Sequence, residues 1–380
     1  MSEPIDTSLP SHAAGKTVFL LGATGYIGGT VLTKLLELPS PPSAITILVR
    51  DPKKAEIVSQ IPTPAGTTLA PLLGSLSDLD KLQKAAATHD IVISAADADD
   101  LPSIQALIAG MKERRKKTGH RSLFIHTSGT GVLTDDARGQ YPNDIIYTDL
   151  NPTPATHKTP ELRSFETIPD TALHRNVDLE ILKADAEGAL KSYIIVPSTI
   201  WGEGKGEVFT RGLSNSFSQQ MPNMIKNSLD RGRAGMVGKG ANIWPHVSID
   251  DLKELYGLVY AGALRGDIGH GKSGFYLGIA GEYTLFAAAS TVGAALVENG
   301  WAKEAQPTPY TEEEIKKYYN GSYYAGSNSR GVADRSKSIG WKPKNDELED
   351  FVESLRSEVK RVEKHFGRKR GEVKGDLYVS

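Results

Sequence analysis

The sequence contains no cysteine among its 380 residues. This absence excludes disulfide bonds, thiolate metal sites and cysteine nucleophiles, and it is typical of a reducing compartment, so we expect a cytoplasmic location. No stretch approaches the ~20 apolar residues that a membrane span requires, and the N-terminus has no basic region followed by an apolar run. The sequence therefore predicts neither secretion nor membrane insertion.

A surplus of charge of either sign is also missing, since 44 Lys and Arg residues stand against 46 Asp and Glu residues. Binding to nucleic acid by general electrostatic attraction needs a basic surface, so we expect no nucleic-acid partner. The nine histidines lack the close spacing of metal ligands, and neither a Gly-x-Ser-x-Gly elbow nor a Walker loop occurs. We therefore expect no metal site and no hydrolytic chemistry.

The sequence does contain a regular alternation of apolar runs and helical patterns. The apolar runs lie at 17–21, 44–49, 68–72, 91–95, 122–126 and 193–196. Strands separated by helices predict an α/β fold with a parallel, doubly wound sheet of the Rossmann type. Residues 133–172 interrupt the alternation with many prolines, aspartates and threonines, which indicates a long irregular insertion.

A glycine-rich turn follows the first apolar run and opens the first helix, with the sequence GATGYIG over 22–28. In such a βαβ unit the first glycine permits the tight turn, the second lets the backbone approach a pyrophosphate, and the third allows close packing. The free N–H groups at the helix start favour phosphate. The residues predicted to bind a dinucleotide are Gly22, Thr24, Gly25, Tyr26, Ile27 and Gly28.

The end of the second strand indicates which dinucleotide is bound. An acidic residue there accepts a hydrogen bond from the ribose 2′-hydroxyl of NAD(H), whereas an arginine suits the 2′-phosphate of NADP(H). Here the strand ends in Arg50, with Lys53 or Lys54 adding positive charge. We therefore expect NADP(H) to be favoured over NAD(H). The alternative is that Asp51 turns inward and Arg50 lies in solvent.

These features suggest a division of the chain. Residues 1–15 are polar and rich in Ser, Pro and Ala, which predicts a disordered tail. We expect an NAD(P)-binding Rossmann domain over 16–202. Residues 203–380 are expected to form a smaller, mainly helical substrate lobe, with segments that return to the sheet and a surface helix near its end.

Several segments, in this order, resemble the extended and atypical short-chain dehydrogenase/reductase superfamily. They are the glycine turn, Ile91–Ala96, FIHTSGTG ending at Gly131, VPSTIWG ending at Gly202, WPHVSIDD ending at Asp251, and Gly326–Pro343. More narrowly, the chain resembles the NAD-dependent epimerase/dehydratase-like proteins of fungi, near the regulatory NmrA-like branch. The resemblance covers residues 16–345.

The resemblance implies a cofactor lying across the C-terminal edge of the strands. The residues that would line its route toward the nicotinamide are Ala95, Ala96, Asp97, Pro197, Ser198 and Thr199. The resemblance also implies that Asp250 and Asp251 serve structure, by fixing the loop between the lobes.

The chain departs from the superfamily at the catalytic pair. Members that transfer hydride use Tyr-x-x-x-Lys, because positions four apart share one helix face and the ammonium lowers the pKa of the phenol. None of the 14 tyrosines has a lysine four residues later. His174 and Asp178 stand in this place, so Asp178 would orient His174 as a general acid. The alternative is that His174 caps or packs the helix start while Asp178 pairs with Arg175 or a lysine.

Two hydroxyls follow the fifth strand, on Ser128 and Thr130. Either one would hold a substrate carbonyl by a hydrogen bond, or else satisfy the backbone of the turn. Tyr141 and Tyr147, in the insertion, are further candidates for the acid, and the alternative for them is an exposed loop tyrosine.

We therefore expect an NADP(H)-dependent oxidoreductase that acts on a small carbonyl or imine compound. A second hypothesis is a redox sensor or regulator that binds the dinucleotide without turnover. A nucleotide-sugar epimerase or dehydratase comes third, because that chemistry needs the tyrosine–lysine pair even more. The sequence leaves open whether the protein is a homodimer.

Overall fold

Parallel β-structure forms the centre of the protein, as the sequence predicts. The computed structural model describes residues 15–150 and 161–369, so the predicted tail lies, except for Gly15, outside the described residues. The described strands are β1 (Thr17–Leu21), β2 (Ala44–Val49), β3 (Thr68–Leu73), β4 (Ile91–Ser94), β5 (Ser122–Thr127), β6 (Ile145–Thr148), β7 (Glu161–Ser164), β8 (Leu190–Pro197), β9 (Thr199–Trp201), β10 (Gly235–Met236), β11 (Ile243–Ser248), β12 (Phe275–Gly278), β13 (Gly281–Thr284), β14 (Thr308–Pro309) and β15 (Gly331–Val332).

Helices flank this sheet and make up much of the C-terminal half. They are α1 (Tyr26–Glu37), α2 (Pro52–Val58), α3 (Leu79–Ala86), α4 (Leu101–Thr118), α5 (Arg175–Ala186), α6 (Glu207–Thr210), α7 (Gln220–Arg231), α8 (Ile249–Arg265), α9 (Leu285–Glu298), α10 (Glu312–Tyr319), α11 (Asp334–Ser338) and α12 (Leu348–Phe366). Short 3₁₀ turns cover Thr130–Leu133, Phe165–Thr167, Gly271–Ser273 and Tyr324–Gly326.

The central sheet has seven strands in the order β12-β8-β5-β4-β1-β2-β3. All neighbours are parallel, and Val18 of β1 pairs with Ile45 on one side and with Ile91 on the other. The order reverses between β1 and β4. In such sheets ligands bind at this reversal, outside the carboxyl ends of the strands. The predicted doubly wound Rossmann sheet is thus confirmed.

Helices cover both faces of the sheet. Helices α1 and α8 pack on one face, and α3, α4 and α5 pack on the other. Strands that are covered twice need continuous apolar runs. Accordingly Val18–Leu21 of β1 and Ile91–Ile93 of β4 are at most 1% exposed. The burial of these runs explains why the apolar pattern located the strands so well.

The insertion differs from the prediction, because its described part is not wholly irregular. Strands β6 and β7 lie within it and pair in parallel, and β15 adds to them from near the C-terminus. The Asp149 carboxylate accepts hydrogen bonds from the backbone N–H groups of Leu277 and Arg335, at 3.0 and 2.7 Å. The hydrogen bond from Arg335 and the pairing of β15 with β6 join residues about 185 positions apart along the chain. A local sequence pattern could not reveal such contacts.

The C-terminal half contributes to two separate apolar clusters. One surrounds the central sheet and includes Leu213, Val247 and Trp341 from beyond position 202. The other lies among α7, α9 and α12, where Phe351 and Val362 are fully buried. Segments of this half therefore do return to the sheet, since β12 is its edge strand, while the remainder has its own core.

Asp251, at the start of α8, fixes the loop that follows α11. Its carboxylate accepts hydrogen bonds from Ser248 Oγ at 2.6 Å and from the backbone N–H groups of Lys344 and Asn345 at 2.8 and 3.1 Å. The indole N–H of Trp341 donates to its carbonyl oxygen. Asp251 is 4% exposed, so these partners replace water around its charge.

We expect replacement of Asp251 by Ala to lower the free energy of unfolding by about 3 kcal/mol, because buried donors lose a charged acceptor. Asp250 is the matched control. Its side chain is 56% exposed, and among the described residues it pairs only with exposed Lys205, at 3.3 Å, so Asp250→Ala should change stability by less than about 0.5 kcal/mol. Urea unfolding of both variants measures the difference, and equal effects would contradict this role.

Candidate functional site

The glycine-rich turn is built by close backbone packing at the carboxyl ends of β1 and β4. Gly22 has a φ of +87°, and a Cβ on it would lie 2.2 Å from the carbonyl oxygen of Ala95. A Cβ on Gly28 would lie 2.1 Å from the carbonyl oxygen of Gly22. Both positions therefore require glycine for reasons internal to the fold. The same contact places Ala95, and Ala96 after it, beside the turn.

Gly25 is different, because the protein explains its lack of a side chain only in part. Its φ of −87° suits any residue, and a Cβ there would make one tight contact, 3.2 Å from Gly22 O, which a shift of a few tenths of an ångström would relieve. Gly25 is the N-cap of α1, so the N–H groups of residues 26–28 have no acceptor within the helix. A space that a Cβ would fill, in front of a helix N-terminus, fits a pyrophosphate.

The remaining residues of the turn hold α1 in place. The Tyr26 hydroxyl donates to the carbonyl oxygen of Gly202 at 2.7 Å, and burial raises the pKa of this phenol well above its usual value. Ile27 packs against the main apolar cluster. The carbonyl oxygen of Thr24 accepts a hydrogen bond from the backbone N–H of Asn215 at 2.9 Å. These contacts thus anchor the helix whose N-terminus faces the site.

Arg50 lies exposed at the carboxyl end of β2, at the same edge of the sheet. The Asp51 carboxylate is the N-cap of α2 and accepts from the backbone N–H of Lys53 at 2.9 Å. Lys54, which the sequence offered as a second cation, donates to the carbonyl oxygens of Gly212 and Leu213. Asp51 therefore caps α2, and the Arg50 side chain lies exposed at the end of β2.

A loop of the C-terminal half covers the glycine-rich turn, which sequence reasoning missed. Ser214 Oγ donates to the carbonyl oxygen of Ala23 at 2.7 Å. A Cβ on Gly29 would lie 2.4 Å from Ser214 Oγ. This loop therefore explains the fourth glycine of the sequence GATGYIGG. That glycine was the one sign in the sequence that another segment packs against the turn.

His174 forms a hydrogen bond with Asp99, not with Asp178. Its Nδ1 lies 2.7 Å from Asp99 Oδ1, and the two side chains are 16% and 48% exposed. The prediction that Asp178 orients His174 is wrong in this detail, because His174 is the N-cap of α5 with a φ of +65° and does not share the helical register. Asp99 follows β4, in the acidic stretch 97–100, and was missed.

Asp178 is turned into the protein and paired with Ser128. Ser128 Oγ donates to Asp178 Oδ2 at 3.2 Å, and the two residues are 5% and 0% exposed. Burial raises the pKa of Asp178 to about 7, against the opposing effects of Arg175 and of the Ser128 hydrogen bond. The hydroxyl of Ser128 is therefore committed inward, toward α5.

Buried polar groups without partners lie near this pair. In the described residues Thr130 Oγ1 and both ring nitrogens of His126 lack hydrogen-bond partners. Burial, followed by the charge of His174, lowers the pKa of His126 to about 3, so the ring is neutral. Each unpaired buried group costs about 1–3 kcal/mol. A bound water or ligand that hydrogen-bonds to them is therefore favoured.

The edge beyond β8 uses its hydroxyls internally. Pro197, the last residue of β8, pairs with Gly278 of β12. Ser198 Oγ donates to the carbonyl oxygen of Gly278 at 2.8 Å, and Thr199 Oγ1 lies 2.9 Å from the Tyr283 hydroxyl. Pro197–Thr199 thus stand at the predicted edge, with the two hydroxyls committed to the protein.

The two glycines of the turn after β5 leave room for two side chains. A Cβ on Gly129 would lie 3.3 Å from His174 Nε2. A Cβ on Gly131 would lie 3.2 Å from the same atom and 2.6 Å from the hydroxyl oxygen of Tyr324. Tyr324 was not among the predicted residues. Of those that were, Tyr141 is 54% exposed and Tyr147 is buried on β6.

Residues 15–150 and 161–369 contain no group of three His, Asp or Glu side chains that could hold a metal ion. No helix there is long and apolar enough to cross a membrane.

Comparison with known proteins agrees with this geometry. Residues 22–153 match a family model described as NAD(P)H-binding. An oxidase, ucsJ, from Acremonium sp is 27% identical over 346 residues, which cover 86% of this chain and 93% of that protein. An uncharacterized protein of Schizosaccharomyces pombe is 26% identical over 261 residues, 67% of this chain and 73% of that protein.

Solved structures share the fold over most of the chain. DesIV, a dTDP-glucose 4,6-dehydratase from Streptomyces venezuelae with NAD bound, has a TM-score of 0.59 at 16% identity and covers 92% of this chain and 97% of that one. PbgP3 from Burkholderia pseudomallei has a TM-score of 0.60 at 12% identity, covering 92% and 98%. The chain shares the fold of these two proteins. The segment that matches the NAD(P)H-binding model, residues 22–153, contains the glycine-rich turn, Arg50, Asp99 and the turn after β5.

The raised pKa of Asp178 predicts a pH-dependent stability. The native state keeps the proton up to about pH 7, whereas an unperturbed carboxyl releases it near 3.8. Because the native state binds more protons in this window, the free energy of unfolding falls as pH rises through it, by at most about 1.4 kcal/mol per pH unit.

Asp178→Asn, which cannot ionise, should remove this contribution. The variant is expected to gain stability relative to the wild type between about pH 5 and about pH 8. Exposed Asp170→Asn is the control and should show no such gain. Thermal unfolding of the three proteins at the two pH values checks this, and a parallel response of Asp178→Asn and wild type would contradict the assignment.

Proposed function

We propose that the protein is an NADP(H)-dependent oxidoreductase that reduces a small carbonyl or imine compound. The observation that carries the proposal is the hydrogen bond of 2.7 Å between His174 and Asp99, beside the turn that follows β5. A histidine held by a carboxylate is a recurrent general acid. The match to the NAD(P)H-binding model and the oxidase among the relatives support a redox reaction.

The residues that would hold the cofactor stand along one edge of the sheet. The N-terminus of α1 at Gly25–Gly28 would bind the pyrophosphate, and Arg50 would bind the 2′-phosphate by charge-assisted hydrogen bonds. When bound, the reduced nicotinamide supplies the hydride. Ala95 lies beside Gly22. This position supports the proposal that Ala95 lines the path of the cofactor from the glycine-rich turn past the ends of β4 and β5.

The protein's own contribution is a proton and a fixed position for the substrate. Asp99 holds Nδ1 of His174 and would stabilise the protonated ring, while Nε2 faces Gly129 and Gly131. Of the two predicted hydroxyls, Thr130 is the one without a hydrogen-bond partner within the described residues, whereas Ser128 is bound to Asp178. We therefore assign substrate positioning to Thr130, and because this residue is 1% exposed, the turn after β5 would have to open for its hydroxyl to reach a substrate.

A redox sensor that binds the nucleotide without turnover is the second candidate. It is favoured by a specific observation, namely that the place of the superfamily's lysine is taken by Asp178, which is buried and bound to Ser128. A nucleotide-sugar epimerase or dehydratase remains third. This chain shares only the fold with the two structures compared, at 16% identity or less.

NADPH is expected to bind more tightly than NADH, and Arg50→Ala should erase this preference. Charge-assisted hydrogen bonds to the 2′-phosphate contribute about 1.5–3 kcal/mol, or roughly tenfold or more in Kd. Lys117→Ala, at an exposed position in the last turn of α4 and away from the end of β2, is the control and should keep the preference. Fluorescence titration with both nucleotides measures this, and equal affinity of the wild type for both would contradict the role of Arg50.

The enzyme and the sensor are separated by the activity of a His174 variant. His174→Asn suits the left-handed backbone at this position. With a panel of ketones, quinones and imines, the wild type should oxidise NADPH, and the variant should lose about 10²–10⁴-fold in kcat, as removal of a general acid does. NADPH affinity should be unchanged. A wild type that binds NADPH but reduces no panel member would favour the sensor.

A further inference from the structure

We infer that Tyr324 supplies the phenol that the superfamily's helix lacks in this chain, and that it passes the proton of His174 to the substrate. This inference rests on the proposed oxidoreductase function. It starts from Gly131, where a Cβ would stand 2.6 Å from the Tyr324 hydroxyl oxygen and 3.2 Å from His174 Nε2. The phenol and the imidazole therefore border the same small space over the turn that follows β5.

The ring of Tyr324 is held by Trp244, and its backbone is held by Ser327. It packs edge-on against Trp244, with the ring centroids 5.4 Å apart. The Trp244 indole N–H donates to the carbonyl oxygen of Ser327 at 2.6 Å, and Ser327 Oγ donates to the carbonyl oxygen of Tyr324 at 2.7 Å. A residue that is 39% exposed is thus fixed by its backbone and its ring. Such fixation is what a proton donor requires.

The backbone conformation at Gly131 supports the same arrangement. Its residue lies in the 3₁₀ turn Thr130–Leu133 and has no positive φ, so its backbone conformation does not demand glycine. A side chain there would instead displace Tyr324, His174 or Leu173, whose Cδ2 would lie 3.0 Å away. Space for these groups is the physical reason for glycine at this position. The apolar Leu173, 42% exposed, adds a hydrophobic contact for the substrate.

The proton transfer balances as follows for a carbonyl substrate. The carbonyl carbon accepts the hydride as the nicotinamide is oxidised, and the π electron pair moves onto the oxygen. That oxygen takes the proton of the Tyr324 hydroxyl and becomes an alcohol. The phenolate regains a proton from Nε2 of His174, whose ring Asp99 holds. Water reprotonates the imidazole, which is 16% exposed.

The test compares Tyr324→Phe with Tyr323→Phe. The neighbouring Tyr323 hydroxyl donates to Glu312 at 2.6 Å, so its loss controls for removal of a phenol from the same segment. Three experiments are made: a titration with NADPH for its affinity, steady-state kinetics with a panel substrate for kcat and KM, and the pH titration of the His174 ring by NMR, with His174→Asn to assign the signal. A merely structural tyrosine would change neither kcat alone nor the imidazole titration.

Tyr324→Phe is expected to lower kcat by about 10²–10⁴-fold and to displace the midpoint of the His174 titration, with NADPH affinity and KM unchanged. Tyr323→Phe should resemble the wild type in all three. An unchanged kcat in Tyr324→Phe would overturn the inference. If the wild type reduces no panel member, the proposed function fails separately, and an unchanged His174 titration in Tyr324→Phe would then overturn the inference as well.

Discussion

The contact between the backbones of Gly22, Gly28 and Ala95 is the constraint on which the rest of the site depends. These atoms approach so closely that a methyl group at either glycine would lie 2.1–2.2 Å from a carbonyl oxygen. The contact brings the end of β1, the start of α1 and the end of β4 to one point. It therefore fixes the helix N-terminus that would bind phosphate, and it fixes the origin of the segment that carries Asp99.

Much of this architecture follows from local chemistry, which explains why the sequence predicted it. The buried parallel strands need continuous apolar runs, and the turn needs glycine at Gly22 and Gly28 for packing. The prediction for His174 was incomplete for an equally physical reason. Its left-handed φ of +65° removes it from the helical register, so spacing along α5 does not determine its partner. Asp99 lies 75 positions away, on a different strand end.

Several groups at the site come from the C-terminal half, where no single motif announced them. Ser214 and Asn215 close on the glycine-rich turn, and Tyr324 reaches the turn after β5. In the sequence these contacts are reflected by Gly29 and Gly131, because a side chain at either position would collide with Ser214 or Tyr324. Such positions become interpretable only when the partner is known. The Tyr-x-x-x-Lys pair is thus missing from one helix, whereas other parts of the chain contribute side chains to the candidate site.

The central claim is that the glycine-rich turn binds the nucleotide, and Gly25 tests it most directly. Its backbone suits any residue, and the one close contact of a Cβ, 3.2 Å from Gly22 O, needs a shift of only a few tenths of an ångström, so Gly25→Val should fold while its side chain fills the place of the pyrophosphate. Fluorescence titration of the folded variant with NADPH is the measurement. The account predicts that binding is lost. Wild-type affinity in a variant with an unchanged thermal unfolding midpoint would contradict it.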